Sequence, residues 1–250
     1  MLKKFSLAIL LLMVLCTSVV SAEGNDRWIP IDDPFSSWNR YIDGSTINYD
    51  AENGDFVYWV KRVNQKGEIM DISKIKASPK NKTYRVLYNK IYWSKALDDE
   101  FKTNKNLILI LPEGDIEEEV NILCEKYHQP YVWGHKEHSW VKAVTDEEYN
   151  TTWYVCSDTF LKNETTNEYI MFAKIELSNK DENSKCTIPS FFMVNIKDWY
   201  LRWMGEEPDN LLIPESDNEL FFSVSKKIIT TNLRNAYPFS KIKGSELIKL

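Results

Sequence analysis

Large apolar and aromatic side chains recur along most of this chain at every second position, and in two places at the spacing of a helix. Phe56-Val57-Tyr58-Trp59-Val60 is rich in strand formers and runs through Arg62-Val63 into a polar turn at Asn64 to Gly67. Tyr84, Val86 and Tyr88 alternate with Arg85, Leu87 and Asn89, a period of two that places the first three on one face. Phe192, Val194 and Ile196 alternate in the same way with Met193, Asn195 and Lys197. Leu107 to Leu111 predicts a further strand before Pro112-Glu113-Gly114, with Glu219 to Val224 as its later counterpart. Ile116, Val120, Leu123 and Tyr127 form one apolar helical stripe. Asp115 is the expected cap, with Glu118 at the spacing of a capping box. Glu117, Glu118 and Glu119 suit the first turns, where the helix dipole favours negative charge. A second helix is expected after a Ser225 cap, through Ile229, Leu233 and Tyr237.

These elements fall in the same order twice. Trp28 opens one copy and Trp140 the other, followed by Tyr41-Ile42-Asp43 and by Tyr154-Val155-Cys156. A constant offset of 113 pairs Thr46 with Thr159, Ile47 with Phe160, and Val57 to Lys61 with Ile170 to Lys174. An offset of 108 then pairs Tyr84, Val86, Tyr88 and Tyr92 with Phe192, Val194, Ile196 and Tyr200, and one of 110 pairs Leu123 and Tyr127 with Leu233 and Tyr237. The slips fall in polar stretches, where loops take insertions. The expected fold class is α+β and β-rich, with two tandem modules, each a small antiparallel sheet packed by one C-terminal helix. The modules span residues 23–130 and 139–250, with a linker at 131–138.

The first residues change the picture of where the protein works. Lys3 and Lys4 precede an apolar stretch from Phe5 to about Val20, which ends in Val20-Ser21-Ala22. That is the three-part pattern of a cleavable secretory signal over residues 1–22. A spanning helix would need roughly 20 apolar residues. Met13-Val14-Leu15 does not provide the small residues that a lipid-anchored Cys16 would want before it. Removing the signal takes two of the 31 Lys and Arg and none of the 37 Asp and Glu, so the mature net charge is −8. That charge argues against nucleic acid and anionic lipid as partners. No later run is long enough for a transmembrane span, and no wall-sorting motif stands near the C-terminus. Aromatic residues at 13% of the chain, with eight glycines, separate it from disordered proteins.

Trp28, the Tyr41-Ile42-Asp43-Gly44-Ser45 turn, Val57-Tyr58-Trp59-Val60 and Leu111-Pro112-Glu113 before the helix bearing Cys124 together resemble the surface-adhesin protein E family of exported bacterial proteins. The resemblance covers residues 27–128 and, more faintly, 139–237. It implies an envelope or surface protein, periplasmic or extracellular, that binds an unidentified protein or envelope ligand and catalyses nothing. The family often pairs a cysteine of the middle strands with one near the final helix. Here the first copy has only the helix cysteine and the second only the strand cysteine.

Candidate chemistry is sparse. Of the mature cysteines, Cys124, Cys156 and Cys186, the last two end neighbouring predicted strands and form a candidate disulfide in the oxidising exported compartment. Unpaired thiols, or a bridge from Cys124 to either, are the alternatives. Cys124, His128, His135 and His138 fall in one stretch and form a candidate metal set, with zinc or haem as the ligand. The plainer reading is a polar linker with solvated histidines. Trp133, inside Pro130 to Gly134, is placed to wedge the modules at a fixed angle. No Gly-x-Ser-x-Gly elbow, His-Glu-x-x-His motif or glycine-rich phosphate loop appears. The acidic pairs and runs, Glu117 to Glu119 among them, are expected as solvated faces rather than as the carboxylates of a secreted hydrolase. No cofactor is expected.

Overall fold

The computed structural model describes residues 27–31, 38–92, 101–102, 106–163, 168–179, 184–203 and 217–238. The signal-like segment 1–22 lies outside them, as does Trp93. The first sheet holds β1 (Trp28–Ile31), β2 (Asn39–Asp43), β3 (Asn48–Asp50), β4 (Asp55–Val63), β5 (Ile69–Ser78), β6 (Thr83–Ile91), β7 (Phe101–Lys102) and β8 (Ile108–Leu109). Its order is β1-β2-β4-β5-β6-β7, with β3 beside β4 and β8 beside β6, and every pairing is antiparallel. The β4–β5 hairpin turns where the sequence predicts, at Asn64 to Gly67. Gly67 takes the left-handed φ of +81° that a side chain would strain, and the Asn64 side-chain oxygen accepts the backbone N–H groups of Lys66 and Glu68.

Helix α1 (Asp115–Lys126) follows, then the second sheet: β9 (Trp140–Asp146), β10 (Thr151–Lys162), β11 (Glu168–Asn179), β12 (Ser184–Asn195) and β13 (Tyr200–Trp203). Helix α2 (Asp217–Asn232) and β14 (Ala236–Pro238) close the described chain, with β14 parallel to β10. No described helix is long and apolar enough to cross a membrane.

The two sheets repeat one register. Ile42 faces Val60, Tyr41 faces Lys61, Asn48 faces Val57 and Tyr49 faces Phe56. At the offset of 113, Val155 faces Ala173, Tyr154 faces Lys174, Leu161 faces Ile170 and Lys162 faces Tyr169. The break between β2 and β3 becomes a register shift inside β10, between Val155 and Phe160. A hydrogen bond from Gly44 N–H to Arg27 C=O is matched by one from Ser157 N–H to Ser139 C=O.

Matching faces carry matching loads. Phe56, Tyr58 and Val60 are buried towards α1, where Tyr58 and Arg40 meet Glu119. Their equivalents Tyr169, Met171 and Ala173 share a core with Phe221, Phe222, Ile228 and Ile229 of α2. The opposite face of the second sheet, with Leu161, Ile170, Phe172, Phe191 and Met193, packs into the core that holds α1 and Trp133. The layers thus run sheet, helix, sheet, helix, and α1 is covered on two flanks. At about 25 cal/mol per Å² of apolar surface removed from water, this second covering is a main source of cohesion between the modules.

Several sequence expectations are corrected. A bulge at Leu87 of β6, opposite the Lys74–Ile75 step of β5, shifts the register by one residue. Val86 therefore faces buried Ile75, while Tyr88 faces Lys74 on the opposite side, so Tyr84, Val86 and Tyr88 do not share a face. The counterpart of β12 is β5, not β6, because both follow the long aromatic strand in sheet order. Charged Asp71, Lys74 and Lys76 hide that likeness. Glu219 to Val224 is helical, since Phe221, Phe222, Ile228 and Ile229 are buried at helical spacing. Ser225 lies buried inside α2 and caps nothing, and Leu233 is 52% exposed. Helix α1 is capped by Gly114 without a side-chain bond, and Glu117 reaches back to the Glu113 N–H at 2.6 Å.

Candidate functional site

The predicted metal set divides. Cys124 is fully buried on α1, and burial pushes its thiol up to about 11. His128 follows Tyr127, the C-cap of α1, with a left-handed φ of +54°. Its N–H bonds to Glu125 C=O at 3.2 Å, and the Gln129 N–H bonds to Cys124 C=O at 2.7 Å. This is a helix stop of the Schellman type, so His128 serves the backbone and not a ligand. Glycine suits that φ better. His128→Gly is expected to stabilise the protein by about 1 kcal/mol in urea denaturation.

His135 and His138 do meet. Their ring centroids are 4.8 Å apart. The Thr159 Oγ1 lies 3.2 Å from His135 Nε2, 3.2 Å from His138 Nδ1 and 3.0 Å from Asp158 Oδ1. Asp158 Oδ1 stands 3.6 Å from His135 Nε2 and 3.7 Å from His138 Nδ1. The three donor atoms all lie within 4.8 Å of one another.

Each member is held from outside the cluster. The other ring nitrogen of His138, Nε2, is 2.8 Å from Glu117 Oε1, and Glu117 is 3% exposed. Asp158 accepts the Ser139 N–H at Oδ2 (2.6 Å) and the Cys156 thiol at Oδ1 (3.2 Å). Burial opposes the charge of Asp158, but these bonds outweigh it and hold the carboxyl below its ordinary range. Burial likewise opposes charge on His138, yet Glu117, Asp158 and Glu113 lift it above the ordinary imidazole value. Burial and the nearby Asp158 push the Cys156 thiol well up, so it is a donor and not a nucleophile. Beside the cluster opens a cleft of about 510 Å³ lined by His135, Glu137, Asp158, Arg234, Ala236 and Tyr237.

The first module bends at the equivalent corner with different chemistry. There Asp43 accepts the Ser45 hydroxyl at 2.6 Å and pairs with Arg27 at 2.7 Å. In the second copy Cys156 holds the place of Asp43, Asp158 that of Ser45, and Ser139 that of Arg27. The carboxylate has moved by two positions and its arginine is gone.

The candidate disulfide is not formed. Cys156 is a free buried thiol. Cys186 pairs with Leu177 of β11, and Leu177 with Thr151 of β10, so Cys186 stands two strands across and five residues along from Cys156. That separation is roughly 19 Å, far beyond the roughly 7 Å a disulfide spans between Cα atoms. The sequence placed the two at adjacent strand ends, whereas β10 and β12 are separated by β11.

Residues 131–138 are packed at Val132 and Trp133 and exposed at Gly134, Lys136 and Glu137. Val132 and Trp133 are fully buried. The Trp133 ring meets Phe172 at 5.1 Å and Tyr237 at 5.5 Å, both in the second module. Lys82, from the β5–β6 turn, lies over Trp133 and Tyr237 and bonds to Val132 C=O, and burial lowers it to about 8. Glu117 and Glu119, expected in solvent, are 3% and 2% exposed, Glu117 against His138 at the junction and Glu119 against Tyr58 and Arg40 of the first sheet.

A second candidate region is the outer face of the first sheet. Lys61 lies 3.8 Å from the Trp28 ring centroid and 5.3 Å from that of Tyr41. Lys74 lies over Trp59, whose ring meets Tyr88 at 5.5 Å. Lys76 and Arg85 pair on the same side. The equivalent triad of the second module, Trp140, Tyr154 and Lys174, has the same stacking at 4.6 and 5.8 Å. There it is occupied. Glu113 of the first module accepts the Trp140 indole N–H at 2.6 Å and the Lys174 ammonium at 2.8 Å.

The sequence reading found His135, His138 and Trp133 but passed over Asp158, Thr159, Glu117 and Lys82. The constant offset of 113 already set Asp158 beside the corner of the first module, and that was the available signal. Comparison with models of protein families, with curated proteins and with solved structures finds no match.

Proposed function

We propose that this is an exported, non-enzymatic binding protein of the bacterial envelope or surface, and that it docks its partner on the outer face of the first sheet. One observation carries the reading. The second module uses the equivalent face, with an identical Trp–Tyr–Lys triad, to grip a carboxylate and to cover a helix. In the first module, no described layer of the chain covers that face. A partner of matching chemistry presents an acidic side chain over an apolar ridge. Aromatic side chains flanked by cations suit such docking, since Trp and Tyr are favoured at interfaces and the rings also attract cations. Basic Lys61, Lys74, Lys76 and Arg85 concentrate there although the whole chain has a net charge of −6. The resemblance to surface-adhesin protein E points to the same class of activity, and the signal-like first 22 residues to the same compartment.

The test uses the chain from residue 23 onward, immobilised and exposed to host matrix proteins and to envelope extracts. Saturable binding at micromolar protein is expected, weakened by salt and lowered at least about tenfold by Trp28→Ala with Lys61→Glu. Sedimentation of the protein alone separates a foreign partner from a second copy. Binding unaltered by the double substitution, or no partner in any fraction, would remove this assignment.

A further inference from the structure

We infer that His135, His138 and Asp158 form a binding site for a divalent transition-metal ion, zinc above the others, at the junction of the two modules. The site is separate from the outer face of the first sheet and does not depend on it.

The donor set comes first. Two imidazole nitrogens and one carboxylate oxygen suit zinc and its neighbours, whereas magnesium and calcium prefer oxygen alone. Zinc held at about 2.0–2.1 Å by such donors keeps them roughly 3.3 Å from each other. The two separations to Asp158 Oδ1, 3.6 and 3.7 Å, need to contract by only a few tenths of an ångström.

The surroundings fit the same purpose. A metal-ligating histidine usually gives its second ring N–H to a carboxylate, which fixes the ring and aims the other nitrogen. Glu117 stands in that relation to His138, from a different module, in a buried place where no solvent could do the same. Asp158 is fixed at both oxygens, by the Ser139 N–H and the Cys156 thiol. The Thr159 hydroxyl closes one side of the three donors. His135 is 36% exposed at its side chain and borders the cleft, which gives an ion a way in.

Charge gives a further argument. Among the described residues, the ion pairs that Glu117 and Asp158 make within 4.0 Å are to histidines, while Lys82 acts on Glu117 only from further off. With both imidazoles neutral, the group carries two negative charges, which one divalent ion offsets. At the equivalent corner Arg27 performs the corresponding service for Asp43, and the second copy has serine there.

The chain from residue 23 onward, made without a histidine tag and stripped with EDTA, would be titrated with zinc chloride by calorimetry and with cobalt(II) by visible absorption. Expected are one ion per chain, a dissociation constant of about 10 μM or tighter, and cobalt bands of a low-coordinate site. His135→Ala, at the exposed edge where folding is safe, and Asp158→Asn should each weaken binding at least about 100-fold. Glu117→Gln should weaken it about 10- to 100-fold with an unchanged circular dichroism spectrum, and His128→Gly should leave it unchanged. No saturable uptake below about 100 μM metal, or uptake that survives His135→Ala, would overturn the site.

Discussion

Replacing Arg40 by methionine is expected to lower the unfolding free energy of the protein by about 3–5 kcal/mol at pH 8. The guanidinium is 2% exposed and lies 2.6 Å from Glu118, 3.2 Å from Glu119 and 3.6 Å from Asp115. Glu118 and Asp115 keep contact with water and lose little without it. Glu119 does not, since it is 2% exposed and its other partner is the Tyr58 hydroxyl at 2.8 Å. Methionine fills much of the space of the arginine stem, so the loss reports the abandoned charge and not a cavity.

The pH dependence of that loss has a definite sign. Burial raises Glu119 from 4.5 to about 7, against the pull of Arg40 and Tyr58. A carboxyl whose folded value is raised binds its proton more tightly in the native state. Its contribution to stability is therefore fully present below about 4.5 and is lost as pH rises through about 7. Without Arg40 the folded value climbs further, so the variant should lie closer to the parent at pH 5 than at pH 8. Urea denaturation of both proteins at the two values checks it. An equal loss at both, or a loss under about 1 kcal/mol at pH 8, would contradict this account of the buried pair.

Trp133→Ala is expected to be as damaging, at about 3–5 kcal/mol. The ring is fully buried in a core drawn from both modules, against Phe172, Tyr237 and Lys82. Its removal opens a void between modules and not within one. Calorimetry should then show a single unfolding transition of the parent split into two. Trp133→Phe should cost much less, because the indole N–H has no hydrogen-bond partner to lose. A single undivided transition in the alanine variant would show that Trp133 does not couple the modules.

What could be read from the sequence, and what could not, follows from the range of the forces involved. The duplication was legible because Trp28, Tyr41 and Lys61 recur as Trp140, Tyr154 and Lys174, and stacked triads constrain residue type at fixed spacing. The helix of the first module was legible from its apolar stripe. The second helix was misread as strand in part because short apolar runs fit either period. The bulge at Leu87 of β6 leaves no mark on composition, so the facing of Tyr88 could not be seen. Glu117 and Glu119 looked like a solvated acidic run, since their partners His138 and Arg40 come from 21 and 79 residues away. For the junction cluster, two histidines were visible by type. Asp158 was not, because a register shift in β10, which no local pattern announces, brings it to them.

The sandwiching of α1 has a consequence for biogenesis. A polypeptide delivered from its N-terminal end completes the leading sheet and its helix before the trailing half exists. During that interval Trp133, fully buried at the end against Phe172 and Tyr237 of the trailing half, stands wet. The ancestral unit, if it once stood alone, needed polar side chains there. The duplicated one has traded that independence for a permanent companion, and a ribosome or translocase that stalls near residue 140 is expected to release a sticky, protease-sensitive fragment rather than half of a working protein.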